Sequence, residues 1–369
     1  MARLFENNGF TNAKGMVLPL SDFRLFTDLP NSDTIEDRYK EGIIKRAEAL
    51  IGKEYPVILA TDYMAYTRTG DRTAYSSKTF PKRGDLVSLV NAELVEGQGR
   101  FMDSIINLMW MILEESTWVC NAHNRTGEPL SAQYDTEVGG IDLFSATTGA
   151  SMAYAYYALK DKLNAISPLF CERTLMMLRR RIINPFINAQ DDPGNWWMGI
   201  GRGTNNWNPW ICSNILWVVG VVEDDLSVRE KTVTWALSYL DNFINLYAPD
   251  GGCDEGPGYW GAAGAAYMDC LEIITDLTAG KILVLFMLIG VALQGLGVYQ
   301  FLVEFAGAGA TVPISGFGYL LANGAIKGAQ KGVFGAFTGA RTSASAGISA
   351  AVIFSFLTAV LFKSKTKKN

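Results

Sequence analysis

The sequence predicts a mainly α-helical protein in which a large helical part is followed by a small transmembrane helical segment. Three observations predict this class. Apolar residues recur at three- and four-residue spacing through the first three quarters of the chain, polar breaks separate these stretches, and long uncharged runs follow residue 277. Pattern alone supports antiparallel helix pairs arranged either as a bundle or as a toroid.

Helical periodicity covers seven segments, and residues that break helices lie between them. The segments are RYKEGIIKRAEALI, DLVSLVNAELVEG, FMDSIINLMWMILEES, DLFSATTGASMAYAYYALKDKL, CERTLMMLRRRIINPFI, NPWICSNILWVVGVVE and REKTVTWALSYLDNFINLY. The predicted breaks are TRTGDR, FPKRGD, NRTGEPL, DDPGN and APDGG. No run of alternating β-branched residues stands out.

Composition limits the classes of function. The net charge of −5 and the pI near 5.2 argue against a nucleic-acid partner, because phosphate binding needs a basic field. Nine tryptophans all precede Gly261, and such rings either fill a core or offer platforms to carbohydrate. Five widely spaced cysteines without a CxxC pair predict buried reduced thiols, and no metal or other cofactor is expected. His123 is the single histidine, so mechanisms that need two are excluded.

The change of composition near residue 277 predicts two domains, residues 1–276 and residues 277–369. Uncharged runs at 282–303 and 342–362 are each long enough to cross a hydrocarbon core of roughly 30 Å. The glycine-rich stretch 305–326 is predicted to be a third span or a re-entrant segment. The segment 277–369 is therefore expected to lie in a membrane.

The orientation of this segment follows from its charges. The basic tail KSKTKKN places the end of the chain in the cytoplasm by the positive-inside tendency. The start of the chain has no apolar leader region, so the helical part is also expected there. Two spans with a re-entrant segment between them would place both ends of the chain in the cytoplasm. Lys327, Lys331 and Arg341, which lie between the spans, argue against that topology.

Two polar motifs are candidates for a functional site. DGGCDEGPGYW combines Asp254, Glu255 and Tyr259 with glycines that let a ligand approach the backbone. Adjacent carboxylates diverge and make a poor acid and base pair, whereas a tyrosine transfers a proton if its environment lowers its pKa. The alternative is a loop with a structural role only.

The second motif, GTNNWNPW at residues 203–210, precedes an apolar helix. Asn205 or Asn206 is suited to cap that helix, but an amide also hydrogen-bonds a carboxylate or a sugar hydroxyl. Trp207 and Trp210 are suited to stack on a sugar ring. His123 follows another helix, where a helix-end hydrogen bond and a catalytic role are equally compatible with the pattern. The acidic cluster EDD at residues 223–225 is expected to be solvated.

WVCNAHN, DLFSATTGASMAYAYYAL, NNWNPWICSN and DGGCDEGPGYW, in this order, resemble the helical domain of heparinase II/III-like polysaccharide lyases over about residues 10–275. The resemblance implies an incomplete (α/α) toroid and β-elimination on uronic-acid-containing polysaccharide. It implies that Asn205, alone or with Asn206, neutralises the uronate carboxylate and that Tyr259 is base or acid. Substrate-binding roles are implied for Asn206, Trp207, Trp210, Glu255, Trp260 and His123. Lyases of this family also use a β-sheet region that this sequence lacks, which predicts weak or absent activity.

LTAGKILVLFMLIG, YQFLVEFAGAGATVPISGFGYLLANG and KGVFGAFTGARTSASAGISAAVIF resemble stage V sporulation protein AE over about residues 277–369. That family implies a membrane protein of endospore formers that moves calcium-dipicolinate, with other spore membrane proteins as partners. The first transmembrane segment expected for the family is missing. The junction is either a natural fusion or a chimera of two unrelated sequences joined in error or by design. We favour the chimera, because a toroid cut at Leu277 would lose packing partners.

Three functions follow as hypotheses: a polysaccharide lyase acting on acidic polysaccharide or oligosaccharide, an integral membrane component of spore dipicolinate transport, and a carbohydrate-binding or inverting hydrolase module that uses Asp254 or Glu255. Reaction products and membrane extraction distinguish the three hypotheses. A lyase forms an unsaturated sugar, and a hydrolase releases reducing ends without a new double bond. A transport component resists extraction from membranes. The expected location is the membrane, with the helical part in the cytoplasm.

Overall fold

The computed structural model describes residues 5–6, 10–23, 33, 35–123, 130, 140–245 and 256–282. This part of the chain is mostly helical and contains no strand, which confirms the predicted helical class. The predicted spans 282–303, 305–326 and 342–362 lie outside the described residues apart from Ile282. The α-helices are α1 Asp37–Glu48, α2 Ala60–Thr69, α3 Thr73–Glu96, α4 Met102–Leu113, α5 Leu143–Ile166, α6 Pro168–Leu178, α7 Asn184–Asn188, α8 Trp207–Val222, α9 Leu226–Ile244 and α10 Pro257–Leu277.

The pattern of contacts between residues divides the chain into two units, residues 1–279 and residues 280–369. All ten helices belong to the first unit, which we call the helical unit. Within the described ranges, no helix combines the length and the apolar character that a membrane crossing requires.

Helices α3 and α5 of the helical unit run in the same direction. In the first half of each helix, Arg83 Nε donates to Thr148 Oγ1 at 3.0 Å. Further along both helices, the Tyr154 hydroxyl donates to Asn91 Oδ1 at 2.5 Å. Because both partners advance together along the sequence, the two helices are parallel neighbours.

Helix α8 continues this parallel array on the other side of α5. The rings of Phe144 and Trp207, at the starts of the two helices, both contact the ring of His123. Towards the ends, the rings of Tyr157 and Trp217 meet edge to face with centroids 6.4 Å apart. The starts of α5 and α8 therefore lie together at one end of the unit.

Helix α10 packs along α8 in the same direction. The Cys270 thiol donates to the carbonyl of Pro209 at 3.4 Å, and Leu277 faces Gly220 near the ends of both helices. Ala263 and Ala266 of α10 are buried, whereas Gly261, Gly264 and Ala265 are exposed. The glycine- and alanine-rich segment after Gly256 is thus a packed helix, with Pro257 in its first turn, where a missing N–H costs nothing.

Helix α9 returns the chain between the parallel helices α8 and α10. Asn208 Nδ2, at the start of α8, donates to Tyr239 O near the end of α9 at 2.8 Å. Arg229 Nη1, near the start of α9, donates to Val219 O near the end of α8 at 2.7 Å. Helix α9 is therefore antiparallel to α8, and this is the alternation that helix pairs of a bundle or a toroid require.

Two expectations about local structure are wrong. The predicted break FPKRGD lies inside α3, which continues through Pro81. Proline removes one helical hydrogen bond, but Lys82 and Arg83 next to it are buried in an ion cluster that holds the helix. Glu223 of the acidic cluster is only 2% exposed and binds the Arg179 guanidinium through both oxygens, so it is not solvated.

Four of the five cysteines lie in the described part of the chain. Cys120, Cys171, Cys212 and Cys270 are free and buried, as the cysteine spacing predicts. Burial raises the pKa of the Cys120 thiol to about 11. These thiols act as small core residues of the helical unit.

Candidate functional site

The single histidine is paired with a buried carboxylate at the start of α5. Asp142 is the N-cap of that helix, where its Oδ1 accepts the N–H of Ser145 at 2.7 Å. Its Oδ2 accepts the N–H of Cys120 at 2.9 Å and the Nδ1–H of His123 at 2.7 Å. A helix cap therefore fixes the orientation of the imidazole ring.

The partners of His123 determine which nitrogen carries the proton. An ionised carboxylate only accepts, so Nδ1 faces Asp142 with its proton. A guanidinium only donates, and Arg72 Nη2 lies 3.3 Å from Nε2, which therefore presents its lone pair. The neutral ring in this tautomer is arranged as a proton acceptor at Nε2.

Aromatic rings surround the imidazole. Phe144 stacks on it with centroids 5.4 Å apart, and Trp207 contacts it at 4.5 Å with a tilt of 55°. Trp196 contacts Trp207 in turn at 5.2 Å. We call His123, Asp142, Arg72 and these three rings the histidine cluster. The motifs WVCNAHN and NNWNPW, more than 80 residues apart, are therefore in contact here, because the first turn of α8 lies next to the first turn of α5.

The two asparagines of the NNWNPW motif have different environments. Asn205 Oδ1 accepts the N–H of Trp207 at 3.0 Å, so Asn205 stabilises the start of α8 as the capping interpretation predicts. This bond uses the Asn205 amide oxygen. Asn206 is the formal N-cap but makes no capping bond with its side chain, and it is 3% exposed.

Trp210 lies away from the histidine cluster. It lines a cavity of about 410 Å³ between α8 and α10. Trp217, two turns further along α8, lines the same cavity, together with Asp269 of α10. The two tryptophans of the motif thus contribute to different places, Trp207 to the histidine cluster and Trp210 to this groove.

Tyr259 lies in the first turn of α10 with 52% of its surface exposed. In the described part of the chain it makes no hydrogen bond and no ring contact with the histidine cluster. Its assignment as base or acid stays a prediction. Asp254, Glu255 and the side chain of Trp260, the other candidates in this motif, lie outside the described residues.

Sequence reasoning missed Asp142, Arg72 and Trp196. The signal for Asp142 was present, since an aspartate directly before a helical segment is a favoured N-cap. Arg72 belongs to the TRTGDR break and reaches His123 only because α3 starts beside the loop after α4. Such a long-range contact has no local signature in the sequence.

Comparison with known families matches one region of the chain. Residues 258–361 match the family described as SpoVAC/SpoVAEB sporulation membrane protein. The match covers less than a third of the chain and supports the predicted resemblance of the last segment to a stage V sporulation protein. It begins within α10, earlier than residue 277, and does not extend over the rest of the helical unit. No curated protein matches the chain.

Proposed function

We propose that the chain is a membrane component of bacterial spores and that the segment after residue 280 carries this function. The observation that supports it is the match of residues 258–361 to the sporulation membrane protein family. The uncharged runs at 282–303 and 342–362 have the length and composition of membrane spans. By resemblance, the cargo is dipicolinate with its calcium counter-ion.

Membrane extraction tests this proposal. The full-length chain is expected to stay in the membrane pellet after washing with alkaline carbonate. Leu288→Lys/Leu293→Lys in the first run, combined with Ile353→Lys/Leu357→Lys in the second run, is expected to shift the protein to the supernatant, because each lysine near the bilayer centre costs roughly 3 kcal/mol. As a control, Leu288→Ile/Leu293→Ile keeps the hydropathy and should stay in the pellet. Release of the unaltered protein by carbonate would refute a membrane-spanning segment.

A second candidate function belongs to the helical unit, which we propose to act on uronate-containing saccharide by β-elimination. The observation that favours it is the pairing of His123 with Asp142 beside Arg72 and Trp207. The parallel helices with returning partners are compatible with the incomplete (α/α) toroid of the lyases that the sequence resembles. The toroid fold and the lyase activity are both part of this proposal.

The geometry suggests roles for these residues in the elimination. The carboxylate at C6 of a uronate binds Arg72 and the Asn205 amide, which stabilises the negative charge that develops as the C5–H bond breaks. A carboxylate at Arg72 also competes with His123 Nε2 for the same guanidinium, so substrate binding exposes the Nε2 lone pair. Nε2 then takes the C5 proton, the C4=C5 double bond forms and the C4–O4 bond breaks.

The departing O4 atom needs a proton, and Tyr259 is the predicted donor. Trp207 offers an apolar face to the sugar ring beside the base. Asp142 holds the imidazole in the reactive tautomer and stabilises the imidazolium that forms. This proposal favours the catalytic role that the sequence left open for His123 over the substrate-binding role that the resemblance implied.

Product analysis tests the lyase proposal. The full-length chain is incubated with a panel of uronate polymers, and unsaturated products are detected by their near-ultraviolet absorbance. Arg72→Met is expected to abolish product formation, whereas Arg68→Met, a matched loss of charge at an exposed position in α2, should leave it unchanged. Absence of unsaturated product from every polymer would refute the lyase, and reducing ends without a double bond would indicate a hydrolase instead.

A further inference from the structure

A large cavity of the helical unit has no role in either proposed function. It has a volume of about 1010 Å³ and lies among the loop before α2, the helices α3 and α4, and the residues that follow α4. No residue of the histidine cluster and none of the predicted site residues lines it. Cavities of this size hold small organic ligands.

Aromatic side chains form much of the cavity wall. Tyr55, Tyr63, Tyr75 and Trp110 line it, and the rings of Tyr63 and Tyr75 meet edge to face at 5.1 Å. Trp110 is 51% exposed, so its ring lies at the boundary between the cavity and solvent. Such walls favour a ligand with a flat apolar body.

A buried ion cluster forms the polar side of the cavity. Lys82 and Glu115 both line it, and Lys82 Nζ donates to Glu115 Oε1 at 2.9 Å. Arg83 donates to both oxygens of the same carboxylate. All three residues are buried, with Lys82 only 3% exposed, so two cations share one anion.

The surplus positive charge belongs to Lys82. Arg83 also donates to Thr79 O and Thr148 Oγ1, and with Glu115 these contacts use four of its five N–H donors. Lys82 has three N–H donors, and Glu115 is its sole hydrogen-bond partner in the part of the chain that the structure describes. A buried charge without full compensation is costly, and an anion in the cavity would offset that cost.

We infer that this cavity binds an organic monocarboxylate with an aromatic or similarly flat apolar body. Its carboxylate binds the Lys82 ammonium, and its ring packs against Trp110 and the tyrosines. Arg180 and Glu114 also line the cavity with opposite charges, so Lys82 is the buried cation that the ligand carboxylate neutralises.

Quenching of tryptophan fluorescence by para-nitrobenzoate tests the inference on the full-length chain in detergent solution. The neutral para-nitrobenzyl alcohol has nearly the same size and serves as the uncharged comparison. We expect para-nitrobenzoate to bind at least tenfold more tightly than the alcohol. Trp110→Phe keeps an aromatic wall but removes the nearby fluorophore, so most of the quenching should disappear.

Lys82→Met is the decisive variant. It removes the surplus charge while Arg83 still pairs with Glu115, so no buried carboxylate is left without a partner. We expect at least a tenfold loss of para-nitrobenzoate affinity and little change for the alcohol. Lys160→Met is the matched control, because Lys160 is exposed on α5 and does not line the cavity.

Three outcomes would overturn the inference: no saturable quenching by para-nitrobenzoate, equal affinity for the acid and the alcohol, or unchanged affinity in Lys82→Met. If Lys82→Met does not fold, the comparison of acid with alcohol and the Trp110→Phe variant still decide, since both use folded proteins with Lys82 intact.

Discussion

His123 Nδ1 lies 2.7 Å from Asp142 Oδ2, and the same carboxylate caps the first turn of α5 through its other oxygen. The orientation of the imidazole is therefore coupled to the start of a 24-residue helix of the core. Substitutions at Asp142 can separate the two effects, because a hydroxyl is able to cap a helix but is too short to reach the ring.

The first prediction concerns the tautomer of His123. Nitrogen NMR of the neutral ring is expected to show the proton on Nδ1 in the unaltered protein and a mixture of tautomers in Asp142→Ala. Because the chain has one histidine, the signals need no assignment. Asp142→Ser should show the same mixture while it retains the cap, whose loss in Asp142→Ala costs about 1 kcal/mol. An unchanged Nδ1–H signal in both variants would show that Asp142 does not select the tautomer.

The second prediction compares the two candidate proton-transfer groups of the lyase reaction. We expect His123→Gln to lower the rate of elimination by roughly a hundred- to ten-thousandfold, the usual contribution of a general base. Tyr259→Phe is expected to abolish the reaction if the phenol protonates the leaving oxygen. Tyr39→Phe is the control, since Tyr39 is 54% exposed and lies on α1. Full activity in His123→Gln would remove the histidine cluster from the mechanism.

The third prediction concerns a buried arginine that holds three segments together. Arg229 donates to the carbonyls of Val219, Gly220 and Glu223 at the end of α8, and to Leu18 O. Arg229→Met leaves these carbonyls without their donor and removes a cation from a helix C-terminus. We expect the free energy of unfolding to fall by about 3 kcal/mol.

Urea unfolding followed by tryptophan fluorescence measures this loss. All nine tryptophans precede Gly261, so the signal reports the helical unit. Arg46→Met, at an exposed position of α1, should change stability little. A similar effect of both substitutions would contradict a special role for Arg229.

The fourth prediction is a pH dependence of stability. Burial raises the pKa of Cys120 from 9.0 to about 11, so between these values the unfolded thiol is ionised while the folded one keeps its proton. The unfolded state then binds fewer protons, and stability must fall as pH rises from 9 to 11. We expect Cys120→Ala to remove roughly 2 kcal/mol of this fall. Parallel stability curves for the two proteins across that range would refute the assignment.

Helix positions were predictable where apolar periodicity was strong, as in the segments that became α5, α8 and α9. The break expected at Pro81 was wrong because long-range ion pairs to Glu115 outweigh the local cost of a proline. The solvent exposure expected for Glu223 was also wrong, because its carboxylate binds the guanidinium of Arg179, a residue that is distant in the sequence. Both errors concern partners that a single sequence cannot show.

The candidate site was predictable only in part. Sequence motifs identified His123, Trp207 and Asn205. In the structure the rings of His123 and Trp207 are in contact, and Asn205 caps the start of α8. Asp142 and Arg72 determine how the histidine can react, yet their contacts depend on the parallel packing of α3, α5 and α8. Trp210 belongs to the same motif but lines the groove between α8 and α10, a packing contact that the motif itself does not show.

The main-chain N–H of Leu18 donates to the carbonyl of Leu277 at 2.7 Å. The last helix of the unit is thereby fastened by a segment from the opposite end of the unit's sequence. Removing the residues around Leu18 would therefore loosen α10, although the two segments are far apart along the chain.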